Sequence, residues 1–248
     1  MGIIIKTEEQ IEKMRKAGSI LKKLDEILRE EIKPSVTTAY LDKIADDYIK
    51  SQGAKPSFKG YGGFPASICT SVNEEVIHGI PSLRKLLPGD IISIDMGAYI
   101  YGYHGDCART YGVGQISDED QKLIDVTKQS FFEGIKFAKA GYHLYEISLA
   151  IQKYVEDKGF SVVRDFVGHG IGKDLHEDPA VPNYKQIGRG MLLQKGMVLA
   201  IEPMVNAGSY HVRVLSDDWT TVTVDGMKAA HYENTVYITD GEAELLTL

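Results

Sequence analysis

The chain repeats itself, and this limits what it can fold into. Laid over one another without gaps, residues 33–53 (KPSVTTAYLDKIADDYIKSQG) and 139–159 (KAGYHLYEISLAIQKYVEDKG) match Lys33 to Lys139, Tyr48 to Tyr154 and Gly53 to Gly159 at an offset of 106. Downstream, LLPGDIISID and LQKGMVLAIE align Gly89 with Gly196 and Asp95 with Glu202, at an offset of 107. The tripeptide HGI also occurs in both halves, at His78 and His169, with an offset of 91 that the connections before and after it compensate. A length of 248 residues falls between one and two ordinary domains. The repeat predicts one domain over 1–248, built from helix-helix-strand halves at about 7–113 and 117–240. Equivalent carboxylates should then meet near the axis relating the halves.

Local signals fill in each half. Thr7 and Gln10 are spaced as a capping box, and Ile11, Met14, Leu21, Leu24 and Leu28 share one face, so a helix is predicted from Thr7 until Pro34 closes it. A second follows from Thr38, with Leu41, Ile44, Tyr48 and Ile49 at helical spacing and Gly53 as its stop. Residues 90–114 read as two antiparallel strands joined by a tight turn. At Ser117 the order restarts, with one helix over 117–141 and another ending at Gly159. The class is α/β (α+β).

Composition excludes several functions. With 43% hydrophobic and 25% charged residues the chain is neither disordered, collagenous nor a coiled coil. A net charge of -7 argues against nucleic-acid or anionic-membrane binding as its main business. Cys69 and Cys107 form no CxxC pattern, so neither a disulfide framework nor a thiolate zinc site is indicated, and a reducing cytoplasm is expected. The apolar start Ile3-Ile4-Ile5 is too short for a signal or a membrane span, and Lys6 stands where a myristoylation motif wants Ser or Thr.

The chemistry lies in acids placed beside apolar strands. Asp95 ends IISID, Asp106 follows eleven residues later on the paired strand, Glu202 ends MVLAIE and Glu233 opens ENTVYI. Carboxylates so placed must be paired or bound to metal. His169, between glycines in VGHGIG, adds an imidazole where a ligand can approach closely. One histidine and four carboxylates can hold two divalent ions, two of the acids bridging, in an oxygen-rich set suited to Mn, Fe, Co or Zn. Two such ions acidify a shared water and polarise a carbonyl, as amide hydrolysis at neutral pH requires.

Taken together, CTSVNEEVIHGIP, SIDMGAYIYGYHGDCART, VGHGIGKDLHEDP, LAIEPM and HYENTVYIT resemble, in order and spacing, the motifs of type I methionine aminopeptidases in their compact bacterial form. The resemblance covers about residues 7–240. It implies a pita-bread fold, with two pseudo-symmetric halves around a curved antiparallel sheet forming one catalytic domain. It also implies removal of the initiator methionine from nascent proteins whose second residue is small and uncharged. Asp95, Asp106, His169, Glu202 and Glu233 would then be the metal ligands, Asp106 and Glu233 bridging, and a bridging hydroxide would attack the scissile carbonyl. Glu202 matches the general base, His176 the histidine facing the substrate carbonyl and oxyanion, and His78 the one near the scissile nitrogen. Phe58, Tyr61, Phe64, Cys69, Leu175 and Trp219 match the methionine pocket, whose aromatic and soft groups suit a thioether.

Three positions depart from the family: Phe58 stands for a common cysteine, His231 for a common glutamine and Asn234 for a common histidine. The last two bear on metal preference rather than on ligand identity. His104, His143 and His211 match no required role, and structural hydrogen bonding is expected of them. The resemblance further implies a cytoplasmic monomer meeting nascent chains near the ribosomal exit tunnel, and Met1-Gly2 would itself satisfy the substrate rule. Two alternatives share the fold. A proline-specific aminopeptidase or prolidase usually carries a further N-terminal domain, for which the helix starting at Thr7 leaves no room, and a non-catalytic binding module typically loses ligands that are all present here.

Overall fold

A computed structural model of the chain describes residues 2–248; Met1, on which the reading of the chain's own start as a substrate falls, lies outside the described residues. Four helices form: α1 (Glu8–Glu31), α2 (Thr38–Ser51), α3 (Asp118–Ile135) and α4 (Leu144–Asp157). Three of them begin where a side chain takes over an orphan amide. The Thr7–Gln10 capping box is present, Thr37 caps α2 and Ser117 caps α3. Helix α3 stops at Ile135, earlier than the run 117–141 predicts, because the chain turns through Phe137 to bury Ala138 in the core.

The main sheet has nine strands: β1 (Lys55–Pro56), β2 (Ile68–Val72), β3 (Ile91–Ile100), β4 (Tyr103–Gly112), β5 (Gly168–Gly170), β6 (Glu177–Val181), β7 (Val198–Ile201), β8 (Glu233–Tyr237) and β9 (Glu244–Leu245). All pairings are antiparallel, in the order β1-β3-β4-β8-β7-β5-β6, with β2 also on β3 and β9 on β8. Tyr101 and Gly102, with φ of 53° and 83°, make the predicted tight turn between β3 and β4.

Positions matched by the repeat make matching backbone hydrogen bonds. Ser35 N donates to Leu86 O as Gly141 N does to Leu193 O, and Leu86 N to Val36 O as Leu193 N does to Tyr142 O. Gly89 and Gly196, the matched glycines, take φ of 91° and 93°, where a side chain would be strained. The HGI match does not survive. His169 on β5 pairs with Ala200 on β7, and the residue 107 before Ala200 is Ser93, which pairs with Ser71 on β2. The counterpart of His169 is therefore Ser71; His78 follows the strand Glu75–Ile77 of a separate small sheet.

Alternation along the strands separates helices from cleft. Ile92, Ile94, Met96 and Ala98 of β3 pack with Leu21, Leu24 and Leu28 of α1 and Leu41 of α2. Leu199 and Ile201 of β7 repeat this in the second core, with Leu123 and Phe131 of α3 and Ile147 and Ile151 of α4. Each such side chain contributes about 1.5–3 kcal/mol on burial. The intervening residues, Asp95 and Ala200 among them, face the other way.

Candidate metal centre and substrate cleft

Two rows of side chains cross that second face of the sheet. In one, Cys69 on β2 opposes Asp95 on β3, Asp95 opposes Ala108 on β4, and Ala108 opposes Glu233 on β8. In the other, Gly97 opposes Asp106, and farther along Thr235 opposes Ala200, which opposes His169. Asp95 and Asp106 meet diagonally because Asp106 faces Gly97, two residues beyond Asp95. Glu202 follows the last residue of β7, two positions from Ala200 and on the same face. Gly97, Ala108 and Ala200 leave space among the acids; a Cβ on Gly97 would come within 2.7 Å of Phe58 and Ser57.

Asp106 and Glu233 are only 4% and 2% exposed, and Asp95 Oδ1, Asp106 Oδ1 and Glu233 Oε1 are buried without a hydrogen-bond partner. Ligand atoms of Asp106, His169 and Glu233 lie within 4.8 Å of one another. His169 Nδ1 lies 2.8 Å from Gly170 O, so the ring donates there and turns the lone pair of Nε2 to Glu202 Oε1 at 3.6 Å and Asp106 Oδ2 at 4.0 Å. Two carboxylate charges about 5 Å apart at an effective dielectric of about 20 repel by roughly 3 kcal/mol. Burial pushes Asp95 up to about 7, and burial followed by neighbouring carboxylates raises Asp106, Glu202 and Glu233. Burial first, then His176, holds His169 down at about 3, a neutral ligand. Bare acceptors, mutually repelling acids and an oriented neutral imidazole fit a divalent cation.

These shifts have a sign. Metal-stripped folded protein retains carboxyl protons that the unfolded chain releases, so stability falls as pH rises from the ordinary carboxylate range through about 7. The depressed histidines, His78 at about 4 and His169 and His231 at about 3, act oppositely, but only up to the ordinary histidine value of 6.5. Metal-free protein is therefore expected to melt several degrees lower at pH 8 than at pH 6.5, with added Mn²⁺ narrowing the gap. Calorimetry showing an equal or higher Tm at pH 8 would contradict the electrostatic account.

The centre opens onto a cleft of about 180 Å³, lined by Phe58, Tyr61, Phe64, Cys69, His78, Leu175, His176 and Trp219 together with all five acid and imidazole groups. Every candidate ligand, catalytic and pocket residue of the sequence analysis thus borders one space, whereas His104, His143, His211, His231 and Asn234 do not line it. Trp219 stands edge-on to Phe64 with ring centroids 5.1 Å apart, its turn held by Asp217, which accepts from Trp219 N at 2.9 Å and Thr220 N at 2.8 Å. Cys69 is buried beside Asp95, and burial first, then these carboxylates, raise its thiol, which suits a wall rather than a nucleophile. His176 Nδ1 lies 2.7 Å from Tyr61 Oη, and its ring centroid is 4.2 Å from that of His169. His78 takes φ of 58° and meets Phe166 edge-on at 5.8 Å. His104 makes a structural hydrogen bond, 2.9 Å from Ser57 Oγ.

Sequence reasoning missed Ile77, Phe166 and Val167 in the lining, although the last two stand just before His169. It also missed Thr235, whose Oγ1 accepts from Asp106 N and donates to Asp106 O, both at 2.9 Å. Its place two residues beyond Glu233 was the available signal. Arg109 lies behind the sheet, donating to Ala108 O, Glu233 O, Asn234 Oδ1 and Thr247 O. His231 is fully buried, its Nε2 3.7 Å from Glu202 Oε2, which places that departure from the family directly beside an acid of the centre.

Residues 12–240 match the pattern of metallopeptidase family M24. The chain is 61% identical over 247 residues to a methionine aminopeptidase of Clostridium acetobutylicum, covering 99% of each. Among solved structures, methionine aminopeptidase from Thermotoga maritima superposes with a TM-score of 0.97 at 46% identity, covering 99% of each chain. Prolidase from Pyrococcus furiosus superposes at 0.80 with 25% identity, covering 99% of this chain and 65% of that one. The shared architecture is the pita-bread fold that the family resemblance implied.

Proposed function

The chain belongs to metallopeptidase family M24, and from that premise we propose that it removes the N-terminal methionine of nascent polypeptides whose second residue is small and uncharged. Its activity is that of a metal-dependent methionine aminopeptidase. One observation supports this reading above the rest: the four acids and His169 border the same cleft as the aromatic side chains Phe58, Tyr61, Phe64 and Trp219.

Asp95, Asp106 and Glu233 would hold one divalent ion, and His169, Glu202 and the shared Asp106 and Glu233 a second, chosen from Mn, Fe, Co or Zn. Bound there, the ions supply Lewis acidity toward the scissile carbonyl and lower the pKa of water to near neutrality. The rest falls to the protein. Phe58, Tyr61, Phe64, Cys69, Leu175 and Trp219 receive the methionine, thioether–aromatic contacts adding about 0.3–1.5 kcal/mol each. Tyr61 donates its hydroxyl proton to His176 Nδ1, which leaves Nε2–H to donate to the carbonyl oxygen as negative charge grows on it. His78, neutral because burial holds it at about 4, faces the scissile nitrogen. Glu202 accepts the proton of the attacking water and passes it to the leaving amine.

Both cysteines are free, and substrates of this kind emerge from ribosomes; both points support action in the cytoplasm near the exit tunnel. No helix among the described residues is long and apolar enough to cross a membrane.

Peptide selectivity tests the reading. With Mn, Fe or Co restored to stripped protein, Met-Gly-Met should be cleaved about tenfold or more faster than Leu-Gly, the range one differently shaped apolar side chain commands. Equal or faster release from Ala-Pro would favour the proline-specific alternative.

A further inference from the structure

Among the described residues, the ion pairs of lysine and arginine lie at least partly in solvent, with one exception. Lys6 Nζ meets Glu177 Oε2 at 2.5 Å, and both side chains are only 3% exposed. Lys6 belongs to the segment ahead of α1, tied down by its own backbone N–H, which donates to Gly196 O at 2.8 Å. Glu177 is the first residue of β6 and directly follows His176. Its second oxygen, Oε1, accepts from Lys173 N at 2.8 Å and Asp174 N at 3.4 Å. A Cβ at Gly172 would lie 2.5 Å from Glu177 Oε1 and 2.6 Å from Lys6 Cε, so a side chain there would displace this pair.

These contacts close the base of the loop between β5 and β6, which carries Leu175 and His176. His176 is exposed on its outer side and contacts Tyr61 and His169 on its inner one, so the backbone of this loop must be held for the ring to stay over the cleft. Burying two charges costs about as much as their attraction returns, and a well-packed apolar pair often stabilises a fold equally well. What the ionic pair adds is direction: one carboxylate fixes an ammonium and two loop amides at once. We propose that Lys6, through Glu177, is a positioning residue for His176, holding the β5–β6 loop in the conformation that places the imidazole over the cleft. This rests on the role given to His176 in methionine removal.

Lys6→Met, Glu177→Gln and Lys6→Arg, with Lys43→Met on the exposed face of α2 as control, test it by kinetics on Met-Gly-Met and by amide exchange. Lys6→Met should lower kcat about tenfold to a hundredfold, as misplacement of a reacting group by about 1 Å does. KM should stay within about threefold, since a group acting chiefly in the transition state moves kcat alone. The Lys173 and Asp174 amides should exchange faster, and Lys6→Arg should recover most of the rate. An unchanged kcat, or unchanged exchange at those amides, would overturn the proposal. Should Lys6→Met fail to fold, Glu177→Gln, which keeps an acceptor for the amides, decides by the same two readouts. If the unmodified protein does not cleave Met-Gly-Met, the reaction assigned above fails. The exchange comparison still decides whether Lys6 orders the loop, unchanged rates overturning that and faster rates supporting it.

Discussion

Glu202→Gln is expected to reduce kcat by about a thousandfold, the middle of the range attributed to general bases, while the variant stays folded. The substitution conserves volume at a site where Glu202 Oε1 and Oε2 lie 3.6 Å from His169 Nε2 and 3.7 Å from His231 Nε2. On the proposed mechanism it removes both the proton acceptor and one negative donor to the bound metal. Stability separates this from mere damage. In metal-free protein one charge fewer relieves the repulsion that raises Asp106 and Glu233, so the variant should melt no lower than the unmodified protein at pH 8. Circular dichroism and metal titration beside the kinetics check both parts. Near-normal turnover in a metal-loaded variant would show that another group takes the proton.

His176→Ala should cost about a hundredfold to a thousandfold in kcat, as loss of one oxyanion donor does elsewhere, with KM changing only a few fold. Burial keeps its pKa below the ordinary histidine value, so the ring is neutral, and in the proposed arrangement Tyr61 Oη donates to Nδ1 and leaves the proton on Nε2. A neutral Nε2–H strengthens its hydrogen bond only as charge develops on the carbonyl oxygen, which is why the effect should fall on kcat. A change confined to KM would make His176 a binding residue and remove it from the chemistry.

Much of this architecture is legible along the chain. Thr7, Thr37 and Ser117 announce helix starts because capping depends on side chains within three residues. The acids of the centre stand out because a carboxylate beside an apolar strand run has no ordinary structural explanation. The HGI pair shows the limit of such matching: identical tripeptides occupy different places, His169 within a strand of the main sheet and His78 after the strand Glu75–Ile77 of a separate one. Thr235 stands near Glu233 in the chain and Arg109 near Asp106, but the hydrogen bonds of Thr235 to Asp106 and of Arg109 to Glu233 cross 129 and 124 residues, which no local pattern encodes.

Sequence alone pointed to two successive helix-helix-strand stretches, to the faces of their helices and strands, and to the acids and histidine that gather at the cleft. Hydrophobic periodicity and short-range capping act over a few residues and repeat wherever the pattern does. Tertiary packing decided the rest. Strand register set Asp95 diagonal to Asp106 across Gly97, and made Ser71 rather than His78 the counterpart of His169. Lys6 reaches Glu177 across 171 residues because folding brings the segment before α1 against the loop after β5. Such pairings depend on which surfaces bury one another, and no local pattern in the chain carries that choice.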